Sequence, residues 1–230
     1  MQETYKIEKR DWAAKLMAIV VVVTMVTSTF VLFAPEASAR TEDNDGGFGY
    51  TMKDSAESDG PTYEWTDIAS TGEKLLGFTS DGAQGPFDIG FDFEFYETTY
   101  NQFYNGGDNG YITFGAGVSS RWTPYSIPST LLGQNAIVAG WFDGGFCTTQ
   151  NPNSGVYYET VGEDGERKLI IQMQDQVYWS ARQGTYYCSS GNSWATNTIT
   201  WQIVLNEGSN TIELLYLSLI HISEPTRRLC

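Results

Sequence analysis

Three groups of residues have types and spacings that could do chemistry. The first is acidic. Asp88, Asp92 and Glu94 alternate with Phe87, Ile89, Phe91, Phe93 and Phe95 in the run FDIGFDFEF over residues 87–95. In an extended chain that period of two puts the carboxylates on one face and the apolar side chains on the other. Two carboxyls held roughly 5–9 Å apart are the equipment of glycoside hydrolysis, but the Glu-x-Asp-x-x-Glu spacing of one glycosidase class is absent, and the set reads as a solvated acidic face. The second group, Asp43-Asn44-Asp45-Gly46, opens like a calcium loop. Such a loop needs a bidentate Glu at its twelfth position, where Lys53 and Asp54 fall instead, so a plain acidic linker is expected. Calcium elsewhere among the acidic loops, at Asp143 or Asp164, is left open. The third group is aromatic. Trp122, Tyr125, Trp179, Tyr186, Tyr187 and Trp194 lie in or beside polar loops, where rings can stack on sugars or anchor a protein partner. Trp65, Trp141 and Trp201 sit inside strand-like runs and read as core.

Other chemistry fails on inventory. The only histidine is His221, in a C-terminal segment set apart below, and without it no Ser–His–Asp or Cys–His arrangement can be assembled. A zinc site lacks ligands. Gly115-Ala116-Gly117 has neither the later Gly nor the Lys of a phosphate loop. No Asn-x-Ser/Thr sequon occurs. No catalytic residue, metal site or cofactor is therefore assigned.

The elements that must position these residues are strands. Apolar density rises from Pro61. Residues 63–68 alternate as a first strand and 75–78 give a second, with a loop at 80–86. After the run at 87–95, a Gly- and Asn-rich turn at 105–110 leads into a strand at 111–114. A Pro-punctuated connection spans 120–132. Residues 136–142, AIVAGWF, form a nearly continuous apolar run that suits a central strand buried on both faces. Hairpins follow: 155–161 with 167–179 around the turn at 162–165, then 199–206 with 211–216 around 207–210. Ile199, Trp201, Ile203 and Leu205 form one face, with Thr200, Gln202 and Asn206 opposite. Eight to ten short strands with turns between them predict an all-β fold, a two-sheet antiparallel sandwich of jelly-roll-like character.

The two ends read differently. Lys6, Lys9, Arg10 and Lys15 precede an apolar run at 16–34, and Ala37-Ser38-Ala39 supplies a small-x-small cleavage site. This is the layout of a secretory signal peptide over 1–39, with an uncleaved membrane-anchoring helix as the alternative. Residues 40–60 make an acidic, flexible lead-in, and 61–217 the folded domain. From Ser218 the chain reads SLIHISEPTRRLC and drops the strand-and-turn pattern. That segment resembles translated sequencing-adapter read-through, so 218–230 is expected to be an artefactual tail replacing a longer natural chain; a frayed C-terminal strand is the alternative.

Residues 40–217 then carry seven basic and 23 acidic side chains, a net charge of −16 over 178 residues. Such a surface repels nucleic acid and anionic membrane, leaving membrane contact only through an uncleaved N-terminal segment. Cys147 and Cys188 remain as an even pair in an oxidising compartment and are expected to form a disulfide. The bridge would close a loop of about 40 residues, stabilising by about 4 kcal/mol through the unfolded chain.

Four blocks resemble the nidogen-like extracellular β-sandwich domain of secreted and surface bacterial and archaeal proteins. They are IGFDFEFYETTYNQFY with NGYITFG, IPSTLLGQNAIVAGWFDG, GVYYETVGEDGERKLIIQMQDQVYW, and ITWQIVLNEGSNTIELLY. Phe93, Phe95 and Tyr96 match the family's aromatic strand, with Glu97 where a Gly is usual. Asn109, Gly110, Tyr111, Thr113 and Phe114 match its Asn-Gly strand. Residues 139–143 are a shifted version of its Pro-x-Trp-Asp element, and Gln202, Val204, Leu205, Glu207 and Gly208 match its last strand and turn. The resemblance implies a non-catalytic interaction or adhesion module at the cell exterior, with a protein or glycan partner, forming the N-terminal part of a longer protein. The alternatives are a carbohydrate-binding module, or an accessory domain of a secreted enzyme encoded further on.

Overall fold

The computed structural model describes residues 50–76, 81–119, 127, 135–180, 185–186 and 198–217. The chain divides into two units, Met1–Thr62 and Tyr63–Cys230. In the first, Lys53 pairs with Asp59, and the Ala56 amide donates to Asp54 Oδ1 at 2.8 Å as residues 54–60 wind through consecutive turns. The expected leader at 1–39 and tail at 218–230 lie outside the described residues. Among those described, no helix is long and apolar enough to cross a membrane.

The second unit is all-β, with eleven strands among its described residues: β1 (Glu73–Lys74), β2 (Gln84–Phe95), β3 (Thr98–Asn105), β4 (Tyr111–Thr113), β5 (Ala136–Val138), β6 (Gly144–Phe146), β7 (Gly155–Val161), β8 (Lys168–Ser180), β9 (Thr185–Tyr186), β10 (Ile199–Asn206) and β11 (Ile212–Tyr216). They form two antiparallel sheets, bearing out the expected fold class. One runs β1-β7-β8-β10-β11, with β6 and β9 also paired to β8; the other runs β2-β3-β4-β5. The inner face of the first carries Leu169, Ile171, Met173, Trp201, Ile203 and Leu205, all buried, as the period-two reading of β8 and β10 requires. The sheets meet where Tyr158 of β7 packs on Phe87 and Phe103, ring centroids 5.2 and 5.6 Å away. Each such side chain taken out of water contributes about 1.5–3 kcal/mol.

Strand β2 is bent rather than regular. Its ladder to β3 lapses between Asp88 and Phe93. The carbonyls freed there are taken by the other sheet: Thr160 Oγ1 donates to Ile89 O, and Arg167 Nη1 to Gly90 O, both at 2.7 Å. Further along, the Glu94 amide donates to Asn210 Oδ1 at 2.9 Å. Asp88, Asp92 and Glu94 nevertheless stay exposed on the outer face, as their spacing predicts.

Four elements depart from the sequence reading. Residues 63–68 form no strand. They cross the outer face of β8 and β10 as a strap, and their backbone groups bond to side chains instead of a ladder. The Ile68 amide donates to Gln172 Oε1 at 3.2 Å, and Gln202 Nε2 donates to Thr66 O at 2.7 Å. Ile68 joins Tyr157, Ile170, Val204 and Leu215 in a second small core, with half-buried Trp65 against it. Every residue of β10 is consequently buried, including the Thr200, Gln202 and Asn206 face. The strand placed at 75–78 is not found at 75–76, and 77–78 lie outside the described residues; the two-residue β1 lies just before it, at Glu73–Lys74. Strand β3, TTYNQFYN, is too polar to stand out in the sequence, yet it is the hairpin partner of β2. Residues 136–142 are not a central strand: only Ala136–Val138 is extended, at the edge of the second sheet, because the Ala139 and Gly140 amides both turn to Gly110 O at 3.0 Å.

The β2–β3 hairpin turns through Tyr96 (φ 48°) and Glu97 (φ 61°), directly between the paired residues Phe95 and Thr98. Two consecutive left-handed residues define the type I′ turn, where Gly is favoured at the second place. Glu97 occupies that second place. Glu97→Gly is therefore expected to raise stability by about 1 kcal/mol, by removing left-handed strain; a higher urea midpoint at unchanged slope checks this.

Candidate interaction surface

The site is built at the far end of β8. As far as Gln174 the strand is flanked by β7; from Gln176 to Tyr178 it is flanked by β6, and Trp179 and Ser180 pair with β9. The change of neighbour falls on Asp175, a bulge residue with φ 52°. Its irregular backbone is held by side chains. The Asp175 amide donates to Thr200 Oγ1 at 3.0 Å, Ser154 Oγ donates to Asp175 O at 3.1 Å, and Asn151 Nδ2 donates to Asp175 Oδ2 at 2.7 Å. One residue on, buried Gln176 accepts from Trp201 Nε1 at 2.8 Å and donates to Asp108 O at 2.5 Å. That relay ties the inner face of the first sheet to the β3–β4 turn of the second.

The β3–β4 turn is closely packed. Asn109 Nδ2 donates to Asp81 Oδ1 at 2.9 Å, and the Asp81 amide donates to Asp108 Oδ1 at 3.3 Å. Gly110 has φ 74°, and a Cβ there would lie 1.9 Å from Gly140 O. The Asn-Gly pair of the sequence motif is thus a backbone requirement, since only Gly lets the β5–β6 segment close over the turn. Asp143, on that segment, has its carboxyl pushed above the ordinary value by burial and then by the charge of Asp81. Asp164, the other aspartate left open for calcium, bonds instead to Arg167 Nη2 at 2.9 Å. Among the described residues, no three Asp, Glu, His or Cys side chains stand close enough to hold a metal ion.

Against this end stand Tyr178, 40% exposed, and Phe142 of the β5–β6 segment, ring centroids 4.2 Å apart. Cys147 follows β6; it is buried and disulfide-bonded, and its carbonyl accepts the Gln150 and Asn151 amides at 3.0 and 2.8 Å. Of the aromatics singled out from the sequence, Trp179 and Tyr186 face each other as backbone partners in the β8–β9 ladder. Trp122, Tyr125, Tyr187 and Trp194 lie outside the described residues, as does Cys188. Of the tryptophans read as core, Trp201 is fully buried; Trp141 is half-buried, edge-on to Tyr111 at 5.5 Å. The Phe142–Tyr178 pair was missed, because both residues were absorbed into runs read as buried strand.

At the opposite end of β8, Arg167 latches the β7–β8 and β10–β11 turns to strand β2. Its Nε donates to Glu207 Oε2 at 2.8 Å, Nη2 bonds Glu207 Oε1, and Nη1 reaches Gly90 O on the second sheet. Glu207 also accepts the Gly165 and Arg167 amides at 2.9 and 3.0 Å. The guanidinium and these amides hold the Glu207 carboxyl down at about 2, against an ordinary 4.5.

The fold and this surface define an all-β sandwich of two antiparallel sheets. A family profile described as NIDO related matches residues 53–227, most of the chain, and the protein belongs to that family. The nidogen-like reading of its sequence blocks is borne out. No curated protein and no solved structure matches the chain.

Two expectations follow. In acid the unfolded chain protonates Glu207 near 4.5 while the folded chain resists to about 2, so the latch's contribution is complete above that window and fades as pH falls through it. Glu207→Gln should flatten the loss of stability between those two pH values in denaturant titrations. Gly110→Ala should lower stability by about 3 kcal/mol, from backbone clash and left-handed strain together; a fall in thermal midpoint without change in assembly checks it.

Proposed function

We propose that this protein is a non-catalytic interaction or adhesion module working outside the cell, its sandwich spanning 61–217 and forming the N-terminal part of a longer secreted or surface protein. Membership of the NIDO-related family carries the reading, since nidogen-like domains are typically extracellular. The bonded state of Cys147 supports it, because structural disulfides persist in oxidising compartments. The N-terminal charge-and-apolar pattern of a secretory leader points the same way.

In this reading the partner of Cys147 is Cys188. Cys147 lies one residue beyond Phe146, which pairs with Gln176, and Cys188 lies two beyond Tyr186, which pairs with Trp179. Both cysteines thus leave short strands that pair with adjoining stretches of β8, 176–178 and 179–180. The bridge would fix the loop bearing Tyr187 and Trp194 beside Phe142 and Tyr178, and preorganisation of that kind improves binding by cutting its entropic cost. The Tyr178–Phe142 pair, with its tyrosine exposed and its phenylalanine half-buried, also favours a second reading within the same class, a carbohydrate-binding surface that stacks sugar rings.

A panel of immobilised extracellular-matrix proteins and diverse glycans, probed with the purified chain, separates the two. Protein binding lost in Tyr178→Ala supports the module; glycan binding lost in Tyr178→Ala and Trp194→Ala supports the second reading. Turnover of a peptide or glycan substrate by the chain alone would sink both.

A further inference from the structure

On the outer face of the first sheet three side chains from adjacent strands stand in one row. Lys168 of β8 and Asn206 of β10 are direct partners in the antiparallel register. Glu213 of β11 is paired with Val204, one place along the same face. Glu213 Oε1 accepts from Asn206 Nδ2 at 2.8 Å, and the same oxygen lies 3.9 Å from Lys168 Nζ. One carboxylate oxygen therefore stands between a primary amine and the nitrogen of a side-chain carboxamide. Asn206 itself is buried, only 9% exposed, and its Nδ2 has a second acceptor in Thr211 O at 3.3 Å. The lysine stem rises beside Val161, its partner on β7, which packs against the second small core.

We propose that Lys168 and Asn206 are an intramolecular isopeptide site, with Glu213 as the proton carrier. Glu213 takes a proton from the Lys168 ammonium. The Nζ lone pair attacks Cγ of Asn206, and the carbonyl π electrons move onto Oδ1. Glu213 returns its proton to Nδ2. As the tetrahedral centre collapses, the Cγ–Nδ2 bond breaks, its electron pair leaves with nitrogen, and the spare proton on Nζ departs with the ammonia as ammonium. One carbon–nitrogen bond forms and one breaks, nothing is oxidised or reduced, and the protein loses one positive charge. Proton carriage by a positioned carboxylate is ordinary general acid–base catalysis, and the register supplies the proximity that converts a bimolecular amide exchange into an intramolecular one. The product would fasten β8 to β10 at the last rung of their ladder, where Lys168 is also paired with Val161 of β7, a use suited to a domain that bears load outside the cell.

Mass spectrometry of the reduced full chain tests this. The expected species is lighter than the sequence mass by one ammonia. After tryptic digestion, residues 168–182 should stay joined to the peptide beginning at 183, despite cleavage at Arg182. Lys168→Arg, which keeps the charge and the fold, should abolish both signals, and Glu213→Gln should slow their appearance by about 100-fold. A full-mass chain that is cut after Lys168 and releases 169–182 free would overturn the proposal. Unchanged cross-linking in Glu213→Gln would overturn the role of the carboxylate.

Discussion

The sandwich depends on a polar requirement at the centre of its larger sheet. Strands β8 and β10 are covered on both faces, by the second sheet on one side and by the 63–72 strap on the other. Yet they carry Gln172, Gln176 and Gln202, none with any exposed surface. A buried amide left unpaired costs about 1–3 kcal/mol, so each glutamine dictates what must lie beside it. Gln172 Nε2 donates to Asp67 Oδ1 and Gln174 Oε1, both at 2.8 Å, while its Oε1 accepts from Ile68 N and Gln202 Nε2. The strap is held in place because it completes this network, and it can remain outside any ladder because the network replaces one. Only Gln202 Oε1 remains without a partner, which leaves the arrangement short of full satisfaction.

The same logic passes along β8 to the proposed binding end. A strand paired with β7 for half its length and with β6 and β9 for the rest must break its ladder somewhere, and the break falls on Asp175. A left-handed residue in mid-strand is tolerable only if its backbone groups find other partners, and Thr200, Ser154 and Asn151 provide them. Beyond the break, Gln176 aligns the indole of Trp201 with the carbonyl of Asp108. The loops around Phe142 and Tyr178 thus sit on a scaffold set by hydrogen bonds reaching back into the core. Loops held this way can vary at their tips while their bases stay rigid, a common plan for recognition surfaces.

Where the sequence could be read, the signal was a period and a turn. The alternation of Phe87 to Phe95, of Leu169 to Met173 and of Trp201 to Leu205 is the direct imprint of a buried face, and each of those faces is found. The nidogen-like blocks were legible for a related reason: Asn109-Gly110 and Glu207-Gly208 mark turns whose glycines take φ 74°. What failed was inference of solvent exposure from polarity. Gln172 and Gln202 alternate with apolar residues as outward positions do, and nothing local says that a distant segment covers them. The alternation at 63–68 had the opposite fault, since a strap crossing a sheet face buries every few residues without being a strand. Residues 98–105 had too few apolar positions to register. The pair Phe142–Tyr178 was invisible because its members are 36 residues apart and meet only through the β6–β8 ladder.

The distribution of charge separates the faces of the domain by task. The outer face of the second sheet presents Asp88, Asp92 and Glu94 with Gln102, whose Nε2 donates to Asp88 Oδ1 at 2.9 Å, and no base stands among them. Two of the basic side chains are spent internally: Arg167 on Glu207 and Gly90, and Lys74 on Pro152 O. A face so acidic keeps copies of a strongly negative chain apart in dilute salt and yields as salt screens it. The end carrying Tyr178, Phe142 and the bonded Cys147 is mixed in kind: its aromatic pair stands beside carboxyls that are tied to side-chain amides, as Asp175 is to Asn151 and Asp81 to Asn109. Binding through the ring pair would draw on ring packing. Any attraction to the acidic face should fall steeply as salt rises. Under the proposed function, the ring pair at the loop end would serve recognition and the carboxylates of the sheet face solubility.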